Sequence, residues 1–595
     1  MDRRTGVLRS LSPRRVVRAM AGAWPICLLA TVAVVAGGRN LAAADGPRRI
    51  APSYTAAQAA SGAALYAKSC ASCHGANLDD GQFGPPLRGD VFLSQWSGKG
   101  LDQLFDHALT RMPPAAPGSI PPEQMAEITA FILKRNNIVE GARPLPNEPT
   151  ALAGIVIPPP TSVIGQLAAG VELPPPPDPP SRALQDFTPV TAAMLANPPP
   201  GDWLSYRRTP DAKGFSPLAG INKANVGRLK AAWAWALPNG ANESTPLIHD
   251  GVLFIYGYGD IVQALDGATG DLLWQYTRRL PAGLESERKK ALALYGDRLF
   301  LVTADNHVVA LDVRTGAVVW DHALGLVTGR EGYAIHGGPM VADGKVIFGT
   351  SGHAPGGNLI IAVDAATGQE AWRFATIPSP GRPGGDTWNN LPQDKRTGGS
   401  VWNVGSFDPE LHLVFFGPSA TYDTKPMRDL VSPTANNDAL FTNTTLALDS
   451  RTGRLVWAFP HFKNDQWDLD WAFERQVLDM TIDGKSRKVV VTGGKIGLFD
   501  VVDARTGAYV SSFDLGLQNL VLGIDPETGG KRLDLTKAPG DGEVKSFCPH
   551  SGGGKNWLAN AYDPGAGLMF IPFAETCAQL VPTTQGEFQI MTSGV

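Results

Sequence analysis

The segment NDQWDLDWAFE, residues 464–474, places two acids beside large aromatic side chains. Asp468 and Asp470 lie two positions apart, and Trp467 and Trp471 flank them. In an extended segment, residues two positions apart share a face, so both carboxylates could reach one cation. A carboxylate in such a setting could also accept a proton from a substrate. Taken alone, these residues fit a solvated aromatic turn equally well.

A second chemical motif, CASCH, runs from Cys70 to His74. Its two thiols have the spacing for thioether bonds to haem, and the histidine can bind the iron. A zinc half-site or redox pair is the alternative, but no second CxxC or HxxxH pair completes a zinc site. Met112, in RMPP, supplies a soft sulfur for the second axial position. His and Met ligation raises the iron potential, so this haem c is predicted to accept and relay electrons.

Three kinds of segment surround these motifs. Met followed by Pro in RMPP resembles the axial loop of class I cytochromes c, which implies a small all-α domain of that class over 57–141. Apolar residues at helical spacing in EQMAEITAFILKR, residues 123–135, predict its closing helix. Residues 142–202 contain IPPP, LPPPPDPP and NPPPGD, which predict a semi-rigid proline-rich linker. The remainder, 203–595, repeats one short unit.

That unit reads as a strand, a turn that begins with Asp and closes with Gly, and a second strand ending in Trp. Alternating runs before most units supply two further strands. The pattern predicts an all-β propeller in which each Trp packs between neighbouring units. A WD40 or kelch propeller fits less well, because the repeat is not a strand ending in Trp-Asp. The units are 264–274, 310–320, 362–372, 447–457 and the weaker 502–512.

The repeat resembles the tryptophan-docking motif of the quinoprotein alcohol dehydrogenases, eight-bladed propellers that hold pyrroloquinoline quinone on their axis. The resemblance covers about 200–595, or about six blades. It is carried in order by NESTPLIHDGVLFIYG, GGSVWNVGSFDPELHLVFFG, NDQWDLD, GGKIGLFDVVD and GGGKNWLANAYDPGAGLMFIP. A cytochrome before the propeller is the order of polyvinyl alcohol dehydrogenases, which suggests a secondary or polymeric alcohol as substrate.

The resemblance implies a role for each matched residue. Asp468 would be the general base that takes the hydroxyl proton as hydride leaves the alcohol carbon. Trp402 would stack under the quinone, and Lys495 would reach its oxygens. The reduced quinone would then pass electrons to the haem of the tethered cytochrome. The other implied quinone contacts are Glu243, Arg288, Ser400, Asn556 and Trp557.

The chain departs from the family where a metal ion would bind. The family's metal-binding Glu falls on His353 or Ala354, and its metal-binding Asn falls on Ala420. Calcium or a lanthanide would therefore depend on Asp468 and Asp470, the second of which resembles the extra ligand of lanthanide-using members. Hard cations need several oxygen ligands, so this is a thin set.

Two further departures lie near the quinone. The vicinal cysteines that cap the quinone in the family are matched by Ala282 and Gly283. A threonine near the quinone is matched by His336, which either replaces its hydrogen bond or has no role. The resemblance also implies a structural disulfide between Cys548 and Cys577.

The N-terminus is typical of an export signal. Residues 1–44 combine a basic start, an uncharged segment at 19–38 and small residues ending at Ala44. An uncleaved membrane anchor is the alternative. The signal holds seven Arg and one Asp, so the net charge of −4 leaves −10 for residues 45–595, which excludes nucleic acid as a partner.

Two interpretations of the whole chain compete. The first is an exported quinohaemoprotein alcohol dehydrogenase whose downstream acceptor is a soluble cytochrome c or a membrane quinone system. The second is a non-catalytic propeller fused to a cytochrome, acting as an electron carrier or scaffold. Because the chain stops after about six blade units, it is expected to be a fragment that lacks the C-terminal blades.

Overall fold

The computed structural model divides into two compact units, one on each side of about residue 160. The predicted signal peptide, residues 1–44, lies outside the described residues, and so do Ala282 and Gly283. The described residues are 53–78, 86–96, 99–113, 116–138, 140–157, 182–238, 240–281, 284, 286–329, 331–422, 424–538, 543–582 and 588–594.

The N-terminal unit is helical, as predicted. The Thr55 hydroxyl accepts the backbone N–H of Gln58 and thereby caps the first helix. This helix packs against the fifth, and the contact is close at Gly62, where a Cβ would lie 1.8 Å from the Glu127 carbonyl oxygen. The helices are α1 (Ala56–Ser69), α2 (Ala71–His74), α3 (Gly89–Trp96), α4 (Leu101–Arg111), α5 (Pro122–Arg135) and α6 (Pro149–Leu152).

Both ends of the predicted linker, 142–202, carry apolar residues that pack into cores. Leu152 and Ile157 join the core of the helical unit. Phe187 joins the core of the second unit, next to the short helices α7 (Arg182–Gln185) and α8 (Ala192–Ala196). Residues 158–181 lie outside the described residues, so the linker boundaries stay a prediction.

The second unit consists mainly of antiparallel four-stranded sheets in which consecutive strands pair. Blade 1 contains β1 (Leu247–His249), β2 (Val252–Gly257), β3 (Ile261–Asp266) and β4 (Leu272–Thr277). Blade 2 contains β5 (Ala293–Tyr295), β6 (Arg298–Val302), β7 (His307–Asp312) and β8 (Val318–Ala323). Blade 3 contains β9 (Met340–Ala342), β10 (Lys345–Gly349), β11 (Leu359–Asp364) and β12 (Glu370–Ala375).

Two more complete blades follow. Blade 4 contains β13 (Ser406–Asp408), β14 (Leu413–Phe416), β15 (Thr444–Asp449) and β16 (Leu455–Pro460), with α9 (Thr424–Arg428) in the long loop after β14. Blade 5 contains β17 (Gln476–Ile482), β18 (Lys485–Gly493), β19 (Leu498–Asp503) and β20 (Tyr509–Asp514). First strands of neighbouring blades contact each other, β5 with β9 and β13 with β17, so the first strands lie innermost.

The remaining described strands form smaller sheets. The pair β21 (Val521–Ile524) and β22 (Lys531–Leu533) makes one ribbon, and β24 (Ala561–Asp563) with β25 (Leu568–Phe570) makes another. A three-stranded sheet joins β23 (Lys545–Phe547), β26 (Thr576–Pro582) and β27 (Phe588–Gly594). The predicted disulfide between Cys548 and Cys577 is present beside this sheet. Short 3-10 turns lie at Val226–Arg228, Gln393–Lys395 and Leu535–Lys537.

Four of the five repeats join their blade to the next through one tryptophan, whereas the weaker unit 502–512 contains none. In blade 3, the indole N–H of Trp372 donates to the Ser450 carbonyl oxygen at 3.0 Å. Its ring covers Gly453, whose φ of 70° suits glycine and where a Cβ would lie 2.6 Å from the indole. The Asp449 carboxylate closes the same turn by accepting two backbone N–H groups. The same contact is made by Trp274, Trp320 and Trp457, which confirms the predicted packing role.

The segment from Asn225 to Trp235 carries two tryptophans ahead of blade 1. It begins with the 3-10 turn and continues without entering a sheet of the described chain. Trp233 nevertheless donates to the Gly267 carbonyl oxygen at 3.2 Å and covers Gly270, as the blade tryptophans do. The docking side chain is therefore in place, while no described strand lies alongside to pair with its backbone.

Trp372→Ala should lower the free energy of unfolding of the propeller by about 3–5 kcal/mol, because it removes a buried indole and its hydrogen bond at a blade junction. Urea unfolding followed by far-UV circular dichroism measures the change. Val319→Ala, at an exposed position of β8, is the control and should stay within about 0.5 kcal/mol of wild type. Equal stability of the two variants would contradict the junction role.

Candidate functional site

The predicted site residues of the propeller come mainly from loops that precede the innermost strands. Glu243 precedes β1, and Arg288 precedes β5. Trp402 precedes β13, and Asp468 precedes β17. Since the first strands lie innermost, these loops meet near the centre of the unit, as the propeller prediction requires.

The loop that carries Asp468 is built around a different acid, Asp465. One carboxylate oxygen of Asp465 accepts the N–H of Trp467 at 2.8 Å, and the other accepts the N–H of Leu469 at 2.6 Å and the amide of Asn443 at 3.0 Å. Burial raises the pKa of Asp465 to about 6. These bonds hold Asp468 at a φ of 59°, an uncommon conformation that Asp tolerates. The sequence analysis missed Asp465, whose signal is an Asx turn two residues before Trp467.

Lys495 joins the two acids of the opening motif. Its ammonium lies 3.3 Å from Asp468 Oδ1 and 3.0 Å from Asp470 Oδ2, and it donates to the Asp468 carbonyl oxygen. Burial and the Asp470 charge raise the pKa of Asp468 to about 7, while Lys495 opposes the rise. About 47% of the Asp468 side chain stays exposed, against 8% for Asp470. Asp468 is therefore the acid that a substrate could reach.

Both carboxylate oxygens of Asp470 have partners within the protein. Its second oxygen, Oδ1, accepts the N–H of Ala420 at 3.0 Å. The positions matched to the family's metal ligands, His353 or Ala354 and Ala420, offer no side-chain oxygen. Among the described residues, no cluster of three His, Cys, Asp or Glu side chains is arranged to hold a metal ion. This donor set fits the Lys495 ammonium better than a hard cation, and the metal role of Asp468 and Asp470 stays a prediction.

Tyr422, another residue that the sequence analysis missed, fills the space beside Asp470. Its hydroxyl donates to Ser400 Oγ at 2.7 Å, and its ring lies 4.7 Å from that of His353. Burial, with the Asp470 charge, raises the pKa of Tyr422. Ser400 also accepts the Asn358 amide at 3.2 Å, so the predicted quinone contact at Ser400 already has two donors.

A second charged cluster involves Glu243 and two cations. Arg288 Nη1 lies 3.2 Å from Glu243 Oε1, and Lys290 donates to Glu243 Oε2. Lys290 Nζ also faces the rings of Trp402 and Trp557, at 5.5 and 4.5 Å from their centroids. Burial raises the pKa of Glu243, but its two partners outweigh this and lower it overall. The structure thus brings together four predicted residues around Lys290, which was not predicted.

The loop that carries Asn556 is held by hydrogen bonds of the Asn556 side chain to its own backbone. The Asn556 amide donates to the Gly552 carbonyl oxygen at 2.6 Å, and its side-chain oxygen accepts the N–H of Trp557. Lys555 extends the other way, to the buried Glu474 at 3.1 Å and over the Phe473 ring at 4.6 Å. Because Phe473 also meets the Trp402 ring edge-on at 5.4 Å, the loop packs beside Trp402. We call the region surrounded by the loops of Glu243, Arg288, Trp402 and Asp468 the central cleft; the Arg288 and Asp468 side chains are about half exposed there.

His336 has defined hydrogen-bond partners. Its Nε2 lies 3.0 Å from Glu287 Oε2, and its Nδ1 lies 2.9 Å from Ser351 Oγ. Its carbonyl oxygen accepts the N–H of Lys290 at 3.1 Å. These contacts position the segment that carries Lys290, whereas a direct role of His336 toward a quinone stays a prediction.

Beneath the loop lies a buried ionic network. His461 stacks on Trp471 with ring centroids 4.7 Å apart, and its Nδ1 lies 2.7 Å from Asp500. Lys531 pairs with the same Asp500 carboxylate, and Thr445 Oγ1 lies 2.6 Å from His461 Nε2. Burial lowers the pKa of His461 to about 4 despite Asp500. The neutral ring therefore supports the Trp471 end of the loop that carries Asp468.

In the helical unit, the predicted haem residues lie at helix ends. Cys70 separates α1 from α2, Cys73 and His74 lie in α2, and Met112 follows α4. The two thiols are not joined in a disulfide, and burial raises the pKa of Cys70 to about 11. His74 is buried. The donor set suits covalent haem attachment, and the pairing of His74 with Met112 about one iron stays a prediction.

These features define a tryptophan-docked β-propeller protein with a central charged cleft and an N-terminal cytochrome domain. Residues 203–514 match the family described as PQQ, glucose/ethanol/alcohol dehydrogenase, beta-propeller domain. Residues 57–132 match the family described as cytochrome C oxidase, cbb3-type, subunit III. The chain belongs to the pyrroloquinoline quinone-dependent propeller dehydrogenase family, and the predicted family, fold class and cofactor classes, pyrroloquinoline quinone and haem c, are confirmed.

Curated relatives carry the names of quinone-dependent alcohol dehydrogenases. The dehydrogenase subunit of the alcohol dehydrogenase (quinone) of Komagataeibacter europaeus is 33% identical over 66% of this chain and 56% of its own length. Quinohemoprotein alcohol dehydrogenase ADH IIB of Pseudomonas putida is 33% identical over 63% of this chain and 56% of its own. The chain thus spans about half the length of the curated relatives that it matches.

Solved structures agree with this assignment. Quinohemoprotein alcohol dehydrogenase ADHIIG of Pseudomonas putida HK5 superposes with a TM-score of 0.62 at 31% identity, covering 68% of this chain and 61% of that one. A europium-containing methanol dehydrogenase gives 0.61 at 26% identity, with coverages of 67% and 75%. In the part of the chain that the structure describes, no helix combines the length and apolarity needed to cross a bilayer.

The stability of wild type should fall more steeply with acid than that of His461→Gln. His461 has a pKa of about 4 in the folded protein and about 6.5 in an unfolded chain. Between these values, lowering the pH protonates only the unfolded chain, so folding loses up to about 1.4 kcal/mol per pH unit from this group.

Urea unfolding between pH 7 and pH 4.5 measures the two slopes. Thr445→Val, which removes the hydroxyl beside Nε2 but keeps the histidine, is the matched control and should keep the steeper slope. Identical slopes for wild type and His461→Gln would show that the buried ring does not resist protonation.

Proposed function

We propose that this protein oxidises an alcohol with bound pyrroloquinoline quinone and passes the electrons to haem c. The observation that carries the proposal is the Asp468 carboxylate, half-exposed, fixed by its loop and 3.3 Å from Lys495. The names of the relatives and the family match support the same reaction class. A proton acceptor and a fixed cation side by side are what alcohol oxidation by a quinone requires.

In this proposal, different residues of the chain bind the proton, orient the base and exclude water. Asp468 takes the hydroxyl proton of the alcohol through its open carboxylate oxygen. Lys495 holds that carboxylate in place and supplies positive charge beside it. Trp402 and Trp557 offer flat faces that exclude water from the cleft.

The residues present fit both cofactors. Pyrroloquinoline quinone, when bound, accepts the hydride equivalent from the alcohol carbon, and Glu243, Arg288, Lys495 and Asn556 are the polar residues that would hold it. Its negative charges suit a cleft lined by Lys290, Arg288 and Lys495. Haem c would attach at Cys70 and Cys73, with His74 and Met112 as iron ligands, and would accept electrons.

The substrate class and the cellular setting are finer parts of the proposal. The order of cytochrome and propeller supports a secondary or polymeric alcohol. The signal-like N-terminus supports export to the periplasm. The haem domain needs an acceptor of its own, for which a soluble cytochrome c or a membrane quinone system would serve. A panel of ethanol, 2-butanol and polyvinyl alcohol would rank the substrates by the rate of haem reduction.

Asp468→Asn should slow alcohol-dependent haem reduction by about 10²–10⁴-fold, because the amide keeps the shape of the side chain but cannot accept the proton. Protein loaded with the quinone is mixed with alcohol, and the reduced haem is followed by stopped-flow absorbance. Asp479→Asn, on an exposed position of β17, is the matched control and should keep the wild-type rate.

Two results would count against the proposal. A wild-type rate in Asp468→Asn would remove Asp468 as the base. Haem that alcohol never reduces, in wild-type protein with the quinone bound, would instead support a non-catalytic electron carrier or scaffold.

Chelation should leave most of the quinone-dependent activity intact, because the Lys495 ammonium already contacts both Asp468 and Asp470, and the matched ligand positions, His353 or Ala354 and Ala420, carry no side-chain oxygen. Protein purified with EDTA is loaded with the quinone in metal-free buffer, and its metal content is measured by mass spectrometry. Activity that appears only after calcium or lanthanum is added would restore the metal role predicted for Asp468 and Asp470.

A further inference from the structure

Two adjacent buried lysines before β5 extend in opposite directions. Lys289 Nζ donates to the Ile335 carbonyl oxygen at 2.7 Å, away from the cleft. Lys290 Nζ reaches Glu243 and faces Trp402 and Trp557. Only 3% of the Lys290 side chain is exposed, compared with 57% for Arg288. Of these cations, Lys290 is the one fixed against the aromatic wall.

The Lys290 ammonium has more N–H donors than acceptors among the described residues. An ammonium group carries three N–H donors, and Glu243 is its hydrogen-bond acceptor among the described residues. The aromatic faces attract the charge at these distances but do not replace an acceptor. A buried cation with unused donors is costly unless an anion completes its surroundings.

The charges around Lys290 leave an excess of positive charge. Glu243 is shared between Lys290 and Arg288. Arg207 also repels Lys290 electrostatically. Its guanidinium donates to the Trp557 carbonyl oxygen at 3.0 Å. The buried Glu474 offsets two cations, Lys555, with which it pairs, and Arg207. An anionic group placed against Lys290 would therefore be attracted from several sides.

We propose that Lys290, rather than Arg288, is the cation that binds a carboxylate of the quinone, in the space beside Trp402 and Trp557. The bound carboxylate accepts the free donors of Lys290, while Glu243 keeps the ammonium in position. Arg288 acts from the solvent side, where water screens its charge. This inference rests on the proposed function, because it takes the quinone to be the ligand of the cleft.

Equilibrium titration of the full-length haem protein with pyrroloquinoline quinone, followed by tryptophan fluorescence quenching, tests the assignment. Lys290→Met should weaken binding about 10–100-fold, as expected for a buried charge-assisted contact. Arg288→Met should weaken it less than about fivefold, as expected for an exposed charge. Lys289→Met, which removes an equally buried lysine outside the cleft, is the matched control and should bind as wild type.

A second ligand separates the charge interaction from simple packing. The triester of the quinone keeps the ring system but has no carboxylate. Wild type and Lys290→Met should bind the triester with equal affinity, because the triester cannot form the ion pair that the substitution removes. Lys290→Arg should recover most of the affinity for the free acid, and thermal melting with the haem spectrum checks that each variant is folded.

The outcomes discriminate between the two proposals. Unchanged affinity for the free acid in Lys290→Met, or an equal loss for the acid and the triester, overturns the role of Lys290. A larger loss in Arg288→Met than in Lys290→Met returns the role to Arg288. Wild-type protein that binds neither ligand contradicts the proposed function itself. If the Met variant does not fold, Lys290→Gln and Lys290→Arg provide the same comparison.

Discussion

The packing of one tryptophan on the glycine turn of the next blade fixes the geometry on which the rest of the propeller depends. The indole fills the space that a Cβ would need, and its N–H satisfies a turn carbonyl that would otherwise be buried without a donor. Repeated from blade to blade, this contact sets the angle between neighbouring sheets. The innermost strands, and the loops that lead into them, are therefore brought together at one centre.

At that centre, buried polar groups hydrogen-bond or stack against the loop that carries the exposed Asp468 carboxylate. Asp465 accepts three N–H groups so that Asp468 can project its carboxylate into the cleft. His461 and Asp500 support Trp471 on the other side of the same loop. Buried charges are costly, and here nearly every one has an opposite charge or several donors as compensation. These contacts hold the Asp468 loop at both of its ends.

The sequence predicted the blades well because their signals are local. An Asp that accepts the N–H groups two and three residues later, with a Gly and a Trp at fixed distances, needs no knowledge of the rest of the chain. Asp468 and Lys495 could be recognised from ordered family segments. The role of Lys290 could not, because Lys289 and Lys290 look alike until the folded loop sends one to Ile335 and the other to Glu243. The contacts of Tyr422 and of Asp500 were not predicted from the sequence either, because their partners lie tens of residues away along the chain.

The excess positive charge of the cleft links cofactor loading to folding. Without an anionic ligand, Arg288 and Arg207 repel Lys290, and Glu243 relieves only part of this repulsion. An anionic ligand that binds only the folded cleft stabilises the folded chain by mass action. Binding of the proposed quinone would therefore stabilise the folded propeller as well as supply its chemistry, which ties the stability of the chain to the supply of its cofactor.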